Sequence, residues 1–159
     1  MIHNEFQLSH NTERNAKAAR LSISIARTQS EIEQAQRLRY KVFAEEMGAQ
    51  LLGTGGLDVD GFDQYCEHLI VRDNETNQVI GTYRILSPER AFDAGGYYSA
   101  GEFDLTRIAH LFDRTVEVGR ACVHQNYRNG GTITMLWAGL AQYMQAHQYE
   151  FMIGCGSIS

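Results

Sequence analysis

The stretch Val116-Glu-Val-Gly-Arg-Ala-Cys-Val-His-Gln-Asn-Tyr-Arg-Asn-Gly-Gly-Thr-Ile133 is the strongest chemical signal in the chain. β-Branched residues run into a glycine pair, and the pair opens an apolar-periodic segment, so the order is strand, turn, helix. The first turn of a helix leaves backbone N–H groups unpaired, with positive potential at that end. Gly130 and Gly131 let those groups converge on an anion, and Arg128 adds a permanent charge. Such a turn, Arg128-Asn129-Gly130-Gly131-Thr132, suits a pyrophosphate or a phosphopantetheine phosphate. A plain strand-to-helix turn needing glycine for its dihedrals fits the spacing at least as well. No Gly-Lys-Ser/Thr follows, so this is not a Walker loop. Asp58, Asp60 and Asp63 sit among Gly53, Gly55, Gly56 and Gly61. They do not make an EF-hand loop, because the third acid is misplaced and Leu69 stands where a bidentate glutamate belongs. Two Cys-x-His pairs, Cys66/His68 and Cys122/His124, could present sulfur and imidazole from neighbouring strands. Their spacing is not that of a standard finger, and the expectation is that no metal is bound. Neither thiol is marked as an activated nucleophile.

The elements that would position these residues follow from periodicity. Leu21 to Ala26 alternates apolar and polar as a strand does. Ser30 and Glu33 read as a capping box. The helix it opens carries Ile32, Ala35, Leu38, Val42 and Phe43 on one face, and Gly48 ends it. His68–Arg72 and Val79–Leu86 read as a hairpin about the turn at Asn74–Asn77. Residues 87–104, with the single proline and Gly95-Gly96, form a long excursion, followed by a short helix at 104–111. A strand at 116–123, a helix with Ile133, Leu136, Trp137, Leu140 and Met144 in the core, and a strand at 149–153 complete the chain. Residues 1–19 are polar and aperiodic and read as a loosely ordered arm; residues 20–159 form one α/β domain.

Composition agrees with one domain. The chain has 159 residues, 43% of them hydrophobic and 21% charged, in the range of a soluble globular protein. No apolar run approaches the ~20 residues a membrane span needs, and the first residues hold no signal-peptide core. Three scattered cysteines do not look like a disulfide framework, which points to a reducing cytoplasm. The net charge of −5 is uneven, with −8 on residues 46–113, so nucleic acid is not an expected partner. Arginine supplies 12 of the 14 basic residues, a side chain whose fork grips carboxylate and phosphate.

Arg128-Asn-Gly-Gly-Thr-Ile133 resembles the acyl-CoA loop of the GCN5-related N-acyltransferases, whose pattern is Gln/Arg-x-x-Gly-x-Gly/Ala. Arg128 and Gly131 match, and Ile133 departs from it. Arg39-Tyr-Lys-Val-Phe43, Asp60-Gly-Phe-Asp63, Val79-Ile-Gly-Thr-Tyr-Arg84 and Glu117-Val-Gly-Arg120 resemble blocks of the acyl-homoserine-lactone synthases. The fuller wording is closest to the ornithine N-acyltransferases, also labelled hemolysin-like. It includes Asp63-Gln-Tyr-Cys-Glu-His68, Tyr98-Ser-Ala-Gly-Glu-Phe-Asp-Leu105, Glu117–His124 and Tyr127-Arg-Asn-Gly-Gly131. The resemblance covers about residues 21–158.

It implies the mixed α/β fold of that superfamily, a central sheet flanked by helices and splayed between the strands at 116–123 and 149–154. A thioester donor would thread into the splay, with the turn 128–132 on its phosphate. The implied donor is an acyl carrier protein thioester, or acyl-CoA, and the acceptor is the α-amine of an amino acid, ornithine first. The product would be a lyso-lipid made at the cytoplasmic face of the membrane. Glu117 is then the candidate base, since an amine attacks only when neutral; a structural partner of Arg120 is the equal alternative. Arg120 lies three residues on, which puts it on the other strand face unless a bulge intervenes. Asp60 and Asp63 would hold the cationic groups of the acceptor, and Arg39, Arg84 and Arg120 would order those carboxylates or bind the acceptor carboxylate. A solvated acidic loop beside surface ion pairs is the plainer reading of the same residues. An autoinducer synthase and a non-catalytic acyl-carrier- or lipid-binding module are the alternative functions. The chain stops directly after its last strand, whereas the family's fold continues with a helix and two strands, so a C-terminally incomplete domain is expected.

Overall fold

The computed structural model describes residues 20–51 and 53–156, so the expected arm at 1–19 lies outside the described residues. Five strands form one sheet in sequence order: β1 Leu21–Ile25, β2 Glu67–Asp73, β3 Gln78–Leu86, β4 Thr115–Val123 and β5 Phe151–Ile153. The first four pair antiparallel, and β5 joins β4 in parallel, as a strand returning after a crossover helix must.

Side-chain alternation decides what each face carries. Leu69 and Val71 of β2 join Leu136, Leu140 and Tyr143 of the crossover helix, whereas Ile70 joins Ala35 and Leu38 of the first helix. The sheet therefore lies between helix α1, Gln29–Tyr40, and a helix at Gly131–His147, with two short helices, α2 Pro88–Asp93 and α3 Ser99–Glu102, in the excursion after β3. The crossover helix is α4. Its close seating depends on Gly81 of β3, where a Cβ would stand 2.7 Å from the Thr132 methyl.

Helix α1 begins one turn-fraction earlier than expected. Thr28, in extended conformation, accepts from the Glu31 N–H at 3.2 Å, and Glu31 accepts from the Thr28 N–H at 3.2 Å. This capping box replaces the one expected at Ser30 and Glu33, because the chain leaves β1 only at Ile25 and turns directly into the helix. The helix then widens into a π-helical turn, Lys41–Glu46, which no residue pattern announced. The segment expected as a helix at 104–111 is a 3₁₀ run over Thr106–Arg114. The last strand is shorter than expected, since Gln148 ends α4 in the left-handed region (φ +61°) and the chain straightens only at Phe151.

Candidate active site

The aspartates of the glycine-rich loop are not a solvated acidic loop. They dock on the α1 face of the sheet against three arginines, and the six charges cancel. Arg39, fully buried, donates to Asp58 at 2.9 Å and to Asp63 at 2.7 Å. Arg84 donates to Asp60 at 2.7 Å and to Asp63 at 3.2 Å. Arg120 reaches Asp58 at 3.1 Å and Asp60 at 3.3 Å. Burial is the largest single influence and works against the charges of Asp60 and Arg84, but their mutual hydrogen bond and the opposite charges around them together exceed it, lowering the carboxyl pKa and raising that of the guanidinium. His68 completes the base of the cluster, its Nδ1 3.3 Å from an Arg39 nitrogen. Because Arg39 can only donate, Nδ1 accepts and the ring is neutral with its proton on Nε2. Burial, then the Arg39 charge, push the His68 pKa down to about 4.

Arg120 belongs to this cluster only because β4 bulges. Arg84 opposes Gly119 and Thr82 opposes Cys122, so Tyr83 faces two residues of β4, and Arg120 adopts φ +52°. In a regular strand Arg120 would point to the α4 face with Val116 and Val118; the bulge returns it to the side of Glu117. The structure therefore takes the exception that the alternation argument allowed.

Glu117 is not paired with Arg120. Its two carboxylate oxygens accept the N–H groups of Tyr98 and Ser99, each at 2.7 Å. It lines a small cavity of about 160 Å³ together with Phe62, Cys66, Leu86, Tyr98, Arg84 and Arg120. Phe62 and Tyr98 pack edge to face at 5.6 Å, and the Arg120 guanidinium lies 6.0 Å from the Tyr98 ring. Burial pushes the Cys66 thiol up to about 12, so it stays protonated, as does Cys122 on the same ground. β3 separates β2, which carries His68, from β4, which carries Cys122, and among the described residues no group of three or more His, Cys, Asp or Glu could hold a metal.

A second cavity, about 830 Å³, opens where β4 and β5 part beyond their three paired positions, Thr115–Glu117 with Phe151–Ile153. Its wall is mainly apolar, with Phe43, Met47 and Leu51 on one side and Tyr83, Trp137 and Met152 on another. Val118, Gly119, Arg120 and Cys155 border both cavities. Trp137, expected in the core, is 49% exposed here, and Ile133 is 38% exposed; the buried face of α4 is Leu136, Leu140 and Tyr143 instead. At the near end, Gly130 takes φ +88° and starts α4. Arg128 meets Glu46 at 2.6 Å, and Asn129 Oδ1 accepts the Gly131 N–H at 3.2 Å. The Thr132 side chain is buried against Gly81, so at this turn it offers its backbone alone.

Residues 38–138 match the family described as the acetyltransferase (GNAT) domain. The chain belongs to that family. Over 151 residues this GNAT domain is 40% identical to the L-ornithine N(alpha)-acyltransferase of Rhizobium meliloti (strain 1021), covering 89% of the chain and 51% of that protein. It spans about half the length of the curated relatives it matches. Among solved structures, the AHL synthase LasI superposes with TM-score 0.60 at 19% identity, over 84% of the chain and 71% of that structure. A CoA-dependent acyl-homoserine lactone synthase, BjaI, gives 0.61 at 20% identity, over 79% and 59%. The expected mixed fold is therefore the observed one. Among the described residues of this GNAT domain, no helix is long and apolar enough to cross a membrane.

Of the residues singled out from the sequence, Glu117, Arg84 and Arg120 line the small cavity of the GNAT domain, whereas Arg39, Asp60 and Asp63 stand behind it as the support of those arginines. Asp58, His68 and the amides of Tyr98 and Ser99 were missed as partners. Asp58 carried a signal, since it shares the glycine-rich loop with Asp60 and Asp63. The two amides carried none, because any residue has an N–H.

Proposed function

We propose that this chain carries the transfer centre of an N-acyltransferase that moves a long acyl chain from an acyl carrier protein thioester to the α-amine of L-ornithine, giving a lyso-ornithine lipid. The observation that carries this reading is the junction of two unlike cavities at Val118, Gly119, Arg120 and Cys155: one large and mainly apolar, one small and charged. The names of the curated relatives support ornithine as acceptor. The acyl chain lies along Phe43, Met47, Trp137 and Met152, with the carrier's phosphate near Arg128–Thr132. The acceptor enters the small cavity, its carboxylate on the Arg120 and Arg84 forks, which Asp58, Asp60 and Asp63 hold rigid.

The amine must lose a proton as its nitrogen bonds to the thioester carbon. Glu117 takes that proton directly or through one water, since a carboxylate has about four lone-pair positions and two N–H groups occupy two of them. The bulge at Arg120 leaves ladder positions of β4 unpaired, a source of a backbone N–H for the carbonyl oxygen as it gains charge. The C–S bond then breaks, and the thiolate leaves and is protonated.

The test is mass spectrometry of products from 3-hydroxyacyl carrier protein and acyl-CoA with an amino-acid panel. A long-chain N-acylornithine is expected. Acyl-homoserine lactone as product would instead support an autoinducer synthase, and saturable carrier binding without turnover would support a binding module. Glu117→Gln should cut kcat by ~10²–10⁴, with the deficit shrinking at alkaline pH; an equal, pH-independent loss accompanied by a lower Tm would make Glu117 a strut for residues 98–99.

A further inference from the structure

The seat for a donor phosphate is already filled by oxygens of the chain itself. Arg128 donates through Nη2 to Glu46 Oε2 at 2.6 Å and through Nε to the Val123 carbonyl at 2.9 Å. The Gly131 N–H, at the start of α4, donates to Asn129 Oδ1 at 3.2 Å. Beside them, Lys41 Nζ lies 3.3 Å from His124 Nε2. His124 Nδ1 accepts the Asn126 N–H at 3.2 Å, so Nε2 carries the ring proton and points at an ammonium. Two donors thus face each other, and among the described residues no acceptor bridges them. Two cationic side chains, an imidazole N–H and a helix-start amide lie here, and Glu46 is the acid that pairs with Arg128.

We propose that Glu46 is a placeholder for the phosphate of the thioester carrier: the incoming phosphate takes Arg128 from Glu46 and settles against Arg128, Lys41 and His124. The proposal rests on the donor reading above and adds a residue that sets donor affinity. A phosphate presents several anionic oxygens and can accept from Arg128, Lys41 and the His124 N–H together, whereas Glu46 is tied to the π turn and pairs with Arg128 alone. Val42 and Phe43 of the same turn line the apolar cavity, so the group that yields Arg128 is tied to the surface that receives the acyl chain. A thioester without a phosphate has nothing with which to displace Glu46.

Calorimetric binding of coenzyme A, holo acyl carrier protein and pantetheine to the wild type, Glu46→Gln and Glu46→Asp tests this. The side chains of the pair are 45% and 24% exposed, so the competition is that of a surface ion pair. Glu46→Gln should tighten the two phosphate-bearing ligands by about two- to fivefold and leave pantetheine unchanged. Glu46→Asp, which keeps the charge, should return binding toward the wild type. A gain for one phosphate-bearing ligand alone names the carrier and supports the placeholder. The gain should vanish when Arg128→Gln is added. Equal or weaker binding in Glu46→Gln, at unchanged Tm, overturns the placeholder and makes Glu46 a support that aims Arg128. If the folded wild type binds neither phosphate-bearing ligand, the donor reading itself fails.

Discussion

Arg39 is the side chain whose removal the structure makes most costly. Its guanidinium is fully buried, and so nearly are its partners, with the Asp58 side chain 2% and the Asp63 side chain 4% exposed. Arg39→Met keeps the stem and removes the donors, leaving His68 Nδ1, Asp63 Oδ1 and the Asp58 carbonyl without their hydrogen-bond donor and Asp58 Oδ2 with Arg120 alone. Breaking one side of a buried ion pair typically costs 3–5 kcal/mol. Asp58 keeps Arg120 and Asp63 keeps Arg84, so the lower end, about 3 kcal/mol, is expected. For a domain of this size that corresponds to a fall of roughly 6–12 °C in Tm. Arg120→Met is the internal comparison: its side chain is 27% exposed, and its loss should cost below about 1 kcal/mol. Urea unfolding followed by circular dichroism, extrapolated to water for both variants, measures the difference. Equal losses in the two, or a loss under about 1 kcal/mol for Arg39→Met, would refute the view that the buried cluster anchors the site.

The remaining expectations concern other parts of the same framework. His68 is neutral in the fold but binds a proton when unfolded at pH below its ordinary 6.5, so stability should decline as pH falls from 6.5 toward about 4, by on the order of 3 kcal/mol. Unfolding free energies across that window should lose this slope in His68→Gln; an identical slope would assign the protons elsewhere. Gly81→Ala places a methyl 2.7 Å from Thr132 and 3.4 Å from Leu136, so it should cost about 1–3 kcal/mol and raise the donor KM by shifting the start of α4. Unchanged Tm and KM would mean that α4 adjusts freely. Trp137 is the one tryptophan of the chain and half-exposed in the apolar cavity, so its emission should shift to the blue when a long acyl thioester binds. Saturable binding without a shift would place the acyl chain elsewhere.

What was legible in the sequence was what periodicity controls. The β2–β3 hairpin, β4 and the span of α4 followed from period-two and helical patterns at nearly their observed bounds. The face of α4 did not, because Trp137 and Ile133 have core-like chemistry yet border a cavity rather than the sheet. The π turn at Lys41–Glu46 was hidden, since one extra residue in a helical turn has no composition of its own. The bulge at Arg120 was readable only as an exception to alternation. The glycine-rich loop misled most plainly: its acids suggest solvent until the arginines of α1, β3 and β4 are brought to one face. Pairwise spacing cannot foresee a cluster drawn from four separate segments.

The neutral cluster of Arg39, Arg84 and Arg120 with Asp58, Asp60 and Asp63 also constrains how the protein can change over generations. Each aspartate is shared by two arginines and each arginine by two aspartates, so the six form a closed ring of contacts. Replacing one of the buried arginines, Arg39 or Arg84, strands charge on both of its neighbours, and no single further exchange repairs both. If the proposed function holds, new acceptor preferences reached through the buried Arg84 have to arise with a compensating change in the loop at 58–63, or in a background stable enough to tolerate the intermediate, whereas the partly exposed Arg120 is freer to change. Substitutions in the walls of the apolar cavity, at Met47, Leu51 or Trp137, carry no such debt. On the proposed function, lineages of this domain should accordingly diverge in the acyl chain they accept sooner than in the amine they acylate.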